Sequence, residues 1–340
     1  MKIAHFTQFA PHACGQYETV RDIIKAERAV GIEAELIDYG KKGGECNVGK
    51  RDGHITTVHP DFAKQADILF RHSAIPPSIE KQGKPIVLCL HGRPESTFKI
   101  GFQGGHGDLI NAVLNCAKKE NYRAIITFWE EFLFVWKNII PEEEKLHYIP
   151  ITVDLERYNP TGEKRKLSKD GSPQLMITDL WREDITPFNT IFSALYYKTH
   201  CQPEAVINVY GLPSKKNRAF LDKLHNDGAF GDFFPPVTGL EKIYRSMDLL
   251  LTPHTIAVRT VREALASGLP IIAGSGNQYT EFKGNANDIF GFAIEINRAW
   301  GYLQEDRNLF KINARKMAEK NFNSENTGLS IRELVTRILS

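Results

Sequence analysis

The feature that most constrains this chain is an alternation running its length: short apolar segments of five to seven residues, separated by stretches whose apolar residues recur every three or four positions. Segments of the first kind read as strands and those of the second as amphipathic helices. KIAHF at 2–6 predicts a strand, and a turn-rich stretch follows it. Val20, Ile23, Ile24, Glu27 and Val30 then set the spacing of a helix over about 17–30, which Gly31 ends. Residues 32–38 alternate like a strand, and further strands are expected at 66–70, 85–90, 123–128 and 145–150. Strand and helix in this order predict a mainly parallel sheet covered on both faces.

The pattern breaks at residues 156–172, where GEKRKLSKDGSPQ (162–174) is polar, basic and punctuated by Gly and Pro. No aromatic side chain interleaves with its lysines, so an exposed connection is expected rather than a nucleic-acid patch. The alternation then restarts. Strands are expected at 174–180, 205–211, 248–253, 269–274 and 290–296, and helices near 187–199, 214–226, 240–246 and 260–267. From Arg298 onward the chain is helical in character. At 340 residues, two domains of similar α/β build are the natural outcome.

Several classes of function fall away on composition and motif. Forty-three Lys and Arg against 41 Asp and Glu leave a net charge of +2, without the basic excess of a chain-wide nucleic-acid binder. Cysteines at 14, 46, 89, 116 and 201 form no Cys-x-x-Cys pair and are expected to be free thiols. No signal-like apolar run and no stretch of roughly 18 apolar residues is present, so a cytoplasmic location is expected. A Gly-x-Ser-x-Gly elbow, a Gly-x-Gly-x-x-Gly fingerprint and a helical His pair are all missing, and no catalytic metal is expected. In the aromatic run 128–136, the helical spacing of Phe128, Phe132, Val135 and Trp136 predicts core packing.

The most informative stretch is 248–274: a strand, an irregular loop from Pro253, a helix from about Arg259, and a stop at Gly268 and Pro270. A helix starting at a strand's carboxyl end directs unpaired amides, and about half a positive charge, toward whatever lies there. That makes a seat for phosphate. Glu263 lies one turn inside, within reach of a sugar hydroxyl beside it. His91 closes the strand 85–90, and Gly92 behind it permits close backbone approach. His72 follows the strand 66–70, and His106 lies in a Gly-rich loop.

YRSMDLLLTP (244–253) and VREALASGLPIIAG (261–274) resemble the donor-site segment of the retaining family 4 of GT-B glycosyltransferases. LHYIPITVDLERYNP (146–160) is similar to the segment closing that family's N-terminal domain, with Ile151 and Thr152 in place of its usual Asn-Gly. DILFRHS (67–73) and PIVLCLHG (85–92) match two paired strands that lead into histidine, and APHACGQYETV (10–20) matches the first turn. Gly15 takes the first glycine of the family's pair and Gln16 replaces the second. Two departures stand out. Of two glutamates eight positions apart, Glu263 fits the second, but Thr255 stands at the first. Of an Arg and a Lys expected on the donor diphosphate, Arg182 is present and the Lys is missing.

The resemblance implies an α/β GT-B fold, with two Rossmann-like domains facing each other across a cleft. Its divisions would be an acceptor-side domain at 1–155, a linker at 156–172, a nucleotide-sugar domain at 173–322, and a helix at 323–340 packing back on the N-terminal domain. It implies retaining, metal-independent transfer of a hexose or pentose from a UDP- or GDP-sugar to a hydroxyl acceptor: a glycan, a lipid-linked or a small molecule. No cofactor is implied beyond the donor substrate. His91, Arg182 and Arg259 would act in catalysis, and Gly15, Gln16, Arg182, Thr255, Val258, Arg259, Thr260 and Glu263 would hold the donor. Acceptor choice would lie in loops such as 40–56 and 92–107. Two alternatives remain open: a catalytically inactive GT-B-like binding protein, favoured by Thr255 and the missing Lys, and a transferase acting on modified bases in DNA.

Overall fold

Apolar runs flanked by helical stretches on both sides become strands buried on both faces, because each covering helix hides one face of the sheet. The computed structural model describes residues 1–9, 15–39, 46–92, 94, 109–181, 188–213, 215–235, 237 and 239–340. The chain divides into two units, Met1–Thr152 with Asn323–Ser340, and Val153–Phe322.

In the first unit, β1 (Lys2–Thr7), β2 (Glu33–Asp38), β5 (Ile68–Arg71), β6 (Ile86–Leu90), β7 (Tyr122–Thr127) and β8 (Leu146–Tyr148) form one parallel sheet in the order β2-β1-β5-β6-β7-β8. β3 (Arg51–Asp52) and β4 (Ile55–Thr56) make a small antiparallel hairpin, and Thr57 then pairs with Leu36 of β2 in parallel. The chain therefore winds one way from β1 to β2 and the other way from β1 to β5. Ligands of such sheets gather at the carboxyl ends of the strands, at this switch point.

The second unit repeats the winding. β9 (Gln174–Trp181), β10 (Val206–Pro213), β11 (Phe230–Phe233), β12 (Leu249–Leu251), β13 (Ile271–Gly274) and β14 (Lys283–Gly284) lie in the order β11-β10-β9-β12-β13-β14. Its switch point is between β9 and β12. The core joins Leu175 and Ile177 of β9 to Ile191, Ala194 and Tyr197 of the helix Phe188–His200.

One expected strand is a helix. Residues 290–296 open the helix Ile289–Asn321, whose N-cap Asp288 accepts from the Gly291 amide at 3.0 Å. A strand would put residues 290, 292, 294 and 296 on one face, yet Phe290 and Ile294 are 61% and 66% exposed. Phe292, Ala293, Ile296, Ala299, Trp300 and Leu303 are buried instead, which is the spacing of a helical stripe. The aromatic run divides similarly. Phe128 and Trp136 are core residues, whereas Val135 turns outward on the helix Glu130–Lys137.

Residues 153–173 are mostly exposed but tied to the second unit. The Arg165 amide donates to the Lys242 carbonyl, and the Ser168 amide donates to Asp232. The last helix, Ser324–Leu339, returns to the first unit and packs on the helix Gly15–Ala29. It buries Ile331, Leu334 and Val335, and Thr327 donates its hydroxyl to the Pro150 carbonyl at 2.8 Å. Among the described residues, no helix is long and apolar enough to cross a membrane.

Candidate functional site

At the carboxyl edge of the first sheet, three strand ends are linked by side chains. The helix after β1 starts at Gly15, which is exposed, and the next residue, Gln16, donates its amide to the backbone carbonyl of His72. His72 follows β5 and His91 follows β6, and their rings meet Nδ1 to Nε2 at 2.6 Å. The other nitrogen of His72 lies 2.9 Å from Nδ1 of His5 in β1, and Nε2 of His5 lies 2.7 Å from Oε2 of Glu27. The His91 ring also lies against Phe128, 5.0 Å between centroids. Burial pushes the His72 imidazole pKa well below its ordinary value, helped by the two neighbouring histidines, so the ring is neutral near pH 7.

At the second sheet's switch point, β12 leads through an irregular loop at 252–258 into the helix Arg259–Ala266. The neighbouring strand pins this loop. Gly274, ending β13, donates its amide to the His254 carbonyl at 3.1 Å, and the Asn277 amide donates to the carbonyls of His254 and Ile256. A β-carbon at Gly274 would stand 2.4 Å from the Pro253 carbonyl oxygen, so only glycine allows this approach. Thr255 packs its methyl toward Gly274 and Gly276.

The helix N-cap is Val258, whose side chain cannot accept a hydrogen bond, so the N-cap residue offers no side-chain bond to the first-turn amides. Beside them the hydroxyl of Thr260 is buried without a hydrogen-bond partner. Such a group is costly in the interior unless something pairs with it. An anion accepting from these amides and from the hydroxyl would satisfy both.

Arg259 and Glu263, one turn apart, form an ion pair of 2.5 Å, with 11% and 3% of their side chains exposed. The second carboxylate oxygen accepts from the hydroxyl of Tyr244 at 3.0 Å. Burial, then the Glu263 charge, holds the Tyr244 hydroxyl far above its ordinary pKa, so it stays a donor. The Arg259 guanidinium lies 5.6 Å from the centre of the Tyr158 ring. The expected acidic anchor is thus engaged on both oxygens, one by Arg259 and one by Tyr244.

The structure therefore gathers Thr255, Val258, Arg259, Thr260 and Glu263 in one stretch of the second unit, and Gly15, Gln16 and His91 at one edge of the first. Arg182 and His106 lie outside the described residues. Sequence reasoning missed Tyr158, Tyr244 and Asn277, which meet the site through tertiary packing. It also missed the pairing of His5 with Glu27, although a histidine inside an apolar strand and a glutamate at core-facing helical spacing were both visible. Among the described residues no group of three or more His, Cys, Asp or Glu is arranged to hold a metal ion.

No protein-family model and no curated protein matches this sequence. Solved structures do match over nearly the whole chain. HepE from Anabaena, crystallised with UDP and glucose, is 12% identical and aligns over 99% of each chain with a TM-score of 0.67. Sucrose-phosphate synthase from Thermosynechococcus elongatus is 14% identical over 99% of this chain and 98% of its own, with a TM-score of 0.72. The trehalose-6-phosphate synthase OtsA is 11% identical over 98% and 99%, with a TM-score of 0.69. These neighbours are GT-B glycosyltransferases, and the chain has their fold.

Proposed function

We propose that the protein transfers a hexose or pentose from a nucleoside diphosphate to a hydroxyl acceptor, with retention of configuration and without a metal. The observation that carries this reading is the start of the helix Arg259–Ala266. A helix start with no side-chain cap from Val258, the unpartnered hydroxyl of Thr260 and an arginine paired with Glu263 lie together beyond the carboxyl end of β12. The complexes of HepE with UDP and with UDP-glucose support a uridine or similar nucleotide as the donor's carrier.

The physical problem is leaving-group charge. As the glycosidic bond breaks, the diphosphate becomes more negative and the anomeric carbon more cationic. Arg259 and the amides near Thr260 would meet that charge in place, with Arg182 as the second cation. Removing one preorganised donor of this kind typically costs ~3–4 kcal/mol, or about 100–1,000-fold in rate. Glu263 keeps Arg259 aimed and retains lone pairs for a ribose hydroxyl. By the family resemblance, His91 contacts the donor sugar and Gly15 lets backbone approach the phosphate, with Gln16 beside it. A glycosyl-enzyme route needs an available carboxylate nucleophile. Glu263 is engaged in its ion pair, so same-face attack by the acceptor is the proposed course.

Thr255 favours one second reading, binding without turnover. Where the family carries glutamate, this chain packs a threonine methyl against the turn at Gly274 and Gly276. A panel of nucleotide sugars separates the readings. Thermal stabilisation by a nucleotide sugar together with its slow hydrolysis supports the transferase, since a bound donor stabilises by mass action. Stabilisation without hydrolysis or transfer supports the binder. No stabilisation by any donor sinks both.

A further inference from the structure

A helix lying on a parallel sheet turns its apolar stripe inward and keeps its outward side polar. Three helices of the second unit depart from this. Phe188–His200, Lys215–Asn226 and the start of Ile289–Asn321 share one core, to which they give Ile191, Leu221, Phe292 and Ile296. Yet the same helices also carry Phe192, Phe220, Phe290 and Ile294, which are 36%, 39%, 61% and 66% exposed.

These side chains are neighbours. The rings of Phe192 and Phe220 lie 6.0 Å apart between centroids, and both meet Phe188, at 6.5 Å and 5.5 Å. Tyr196 stands one turn beyond Phe192 on the same helix and meets Phe290 edge-on at 5.0 Å. Ile294 stands one turn beyond Phe290. A band of rings thus crosses all three helices and ends in an exposed aliphatic side chain. A contiguous apolar patch of this kind marks a surface that binds something else.

The charge on the same helices points to what that is. In sequence, Phe188–His200 and Lys215–Asn226 hold Lys198, Lys215, Lys216, Arg218 and Lys223 against Asp222 alone. Asp222 pairs with Arg218, and Asp227, just past the second helix, pairs with Lys223, each at 2.7 Å. Five basic residues against these two acidic ones leave an excess of three, in a chain whose whole net charge is +2. On the third helix Glu295 is paired with Arg298 at 2.6 Å, and the N-cap Asp288 accepts from the Gly291 amide.

Two copies meeting through this face would set cations against cations. A nucleic acid would stack its bases on ring faces, but Ile294, the most exposed member of the band, has none. An apolar band flanked by basic residues matches the interface of a bilayer, where rings enter the acyl boundary and cations meet anionic headgroups.

We propose that this face of the second unit docks on an anionic lipid surface. Phe290 and Ile294 enter the interface, and the helices Phe188–His200 and Lys215–Asn226 supply the attraction to its headgroups. The attachment is peripheral and reversible, and it does not rest on the transferase reading.

The test is co-sedimentation of the full chain with vesicles, one set of phosphatidylcholine and one of phosphatidylcholine mixed equally with phosphatidylglycerol. Binding to the mixed vesicles is expected, weakening as salt is added, with far less binding to the neutral set. Phe290→Ser combined with Ile294→Ser changes two exposed positions outside the core. It should lower the partition constant on mixed vesicles by ~10- to 100-fold, the scale for partly burying two large apolar side chains. No binding of the wild type to mixed vesicles overturns the proposal, and so does equal binding to both sets. Those two measurements decide the matter even if the variant does not fold. A folded variant that binds mixed vesicles as the wild type does also overturns it. A wild-type dimer that the double substitution splits, seen by analytical ultracentrifugation, overturns it in favour of an interface between copies. Retention on single-stranded DNA that the substitutions abolish while vesicle binding persists overturns it in favour of nucleic acid.

Discussion

A β-carbon added to Gly328 would stand 2.5 Å from the carbonyl oxygen of Ala26. The last helix and the helix Gly15–Ala29 therefore touch backbone to backbone at this point. Gly328→Ala should force them apart and destabilise the protein by about 1–3 kcal/mol, the ordinary cost of overpacking. Gly301 provides the control, since a β-carbon there meets nothing within 4 Å. Gly301→Ala should stabilise the protein by roughly 0.5–1 kcal/mol through helix propensity. Denaturant unfolding of both variants checks the pair.

Arg259→Ala should weaken binding of UDP or GDP by about 10- to 100-fold, the range for a lost charge-assisted hydrogen bond. Glu263→Ala should do the same by releasing Arg259 from its 2.5 Å pair. Calorimetric titration measures both. Wild-type affinity in the two variants would mean that the diphosphate sits elsewhere.

Tyr244→Phe separates stability from binding. It takes one donor from the buried Oε2 of Glu263 and leaves the Arg259 contact in place. A loss of ~1–3 kcal/mol in unfolding free energy is expected, with a much smaller change in nucleotide affinity than Arg259→Ala gives.

Gly274→Ala tests the loop rather than any ligand contact. Its new methyl would displace the Pro253 carbonyl and the 252–258 segment behind it. Nucleotide affinity should fall although no group of the donor site has been removed, and a titration indistinguishable from wild type would show that the loop's shape is irrelevant.

Stability should depend on pH through His72. Its folded-state pKa lies below the ordinary value of 6.5, so the unfolded chain binds more protons as pH drops from that point. Stability is then fully present above about pH 6.5 and is lost progressively on acidification toward the folded pKa. Unfolding free energies measured between neutral and mildly acidic pH should show this slope, and His72→Phe should flatten it.

Most of the architecture was legible because the sheet strands are buried on both faces and so appear as uninterrupted apolar runs. The helix Leu240–Ser246 begins and ends where its periodicity predicts. The run at 290–296 misled because a short apolar segment does not distinguish a strand from the first turns of a buried helix. In the site, the position of Glu263 was visible but its partner was not. Tyr244 lies nineteen residues away and meets it through packing alone. His5 and Glu27 each carried a local sign, a polar residue where the pattern demands an apolar one. That the two satisfy each other follows from how the helix after β1 lies against the sheet, which no local pattern records.

The return of the last helix makes the second unit an insertion within the first. During synthesis, everything needed for the sheet from β9 to β14 leaves the ribosome before the piece that completes the earlier sheet. Vectorial growth thus reverses the expected order, and the unit begun first is finished last. Ile331, which shields His5 and His72, is made only after the whole of the second unit. A nascent chain stalled short of it would leave those histidines open to solvent.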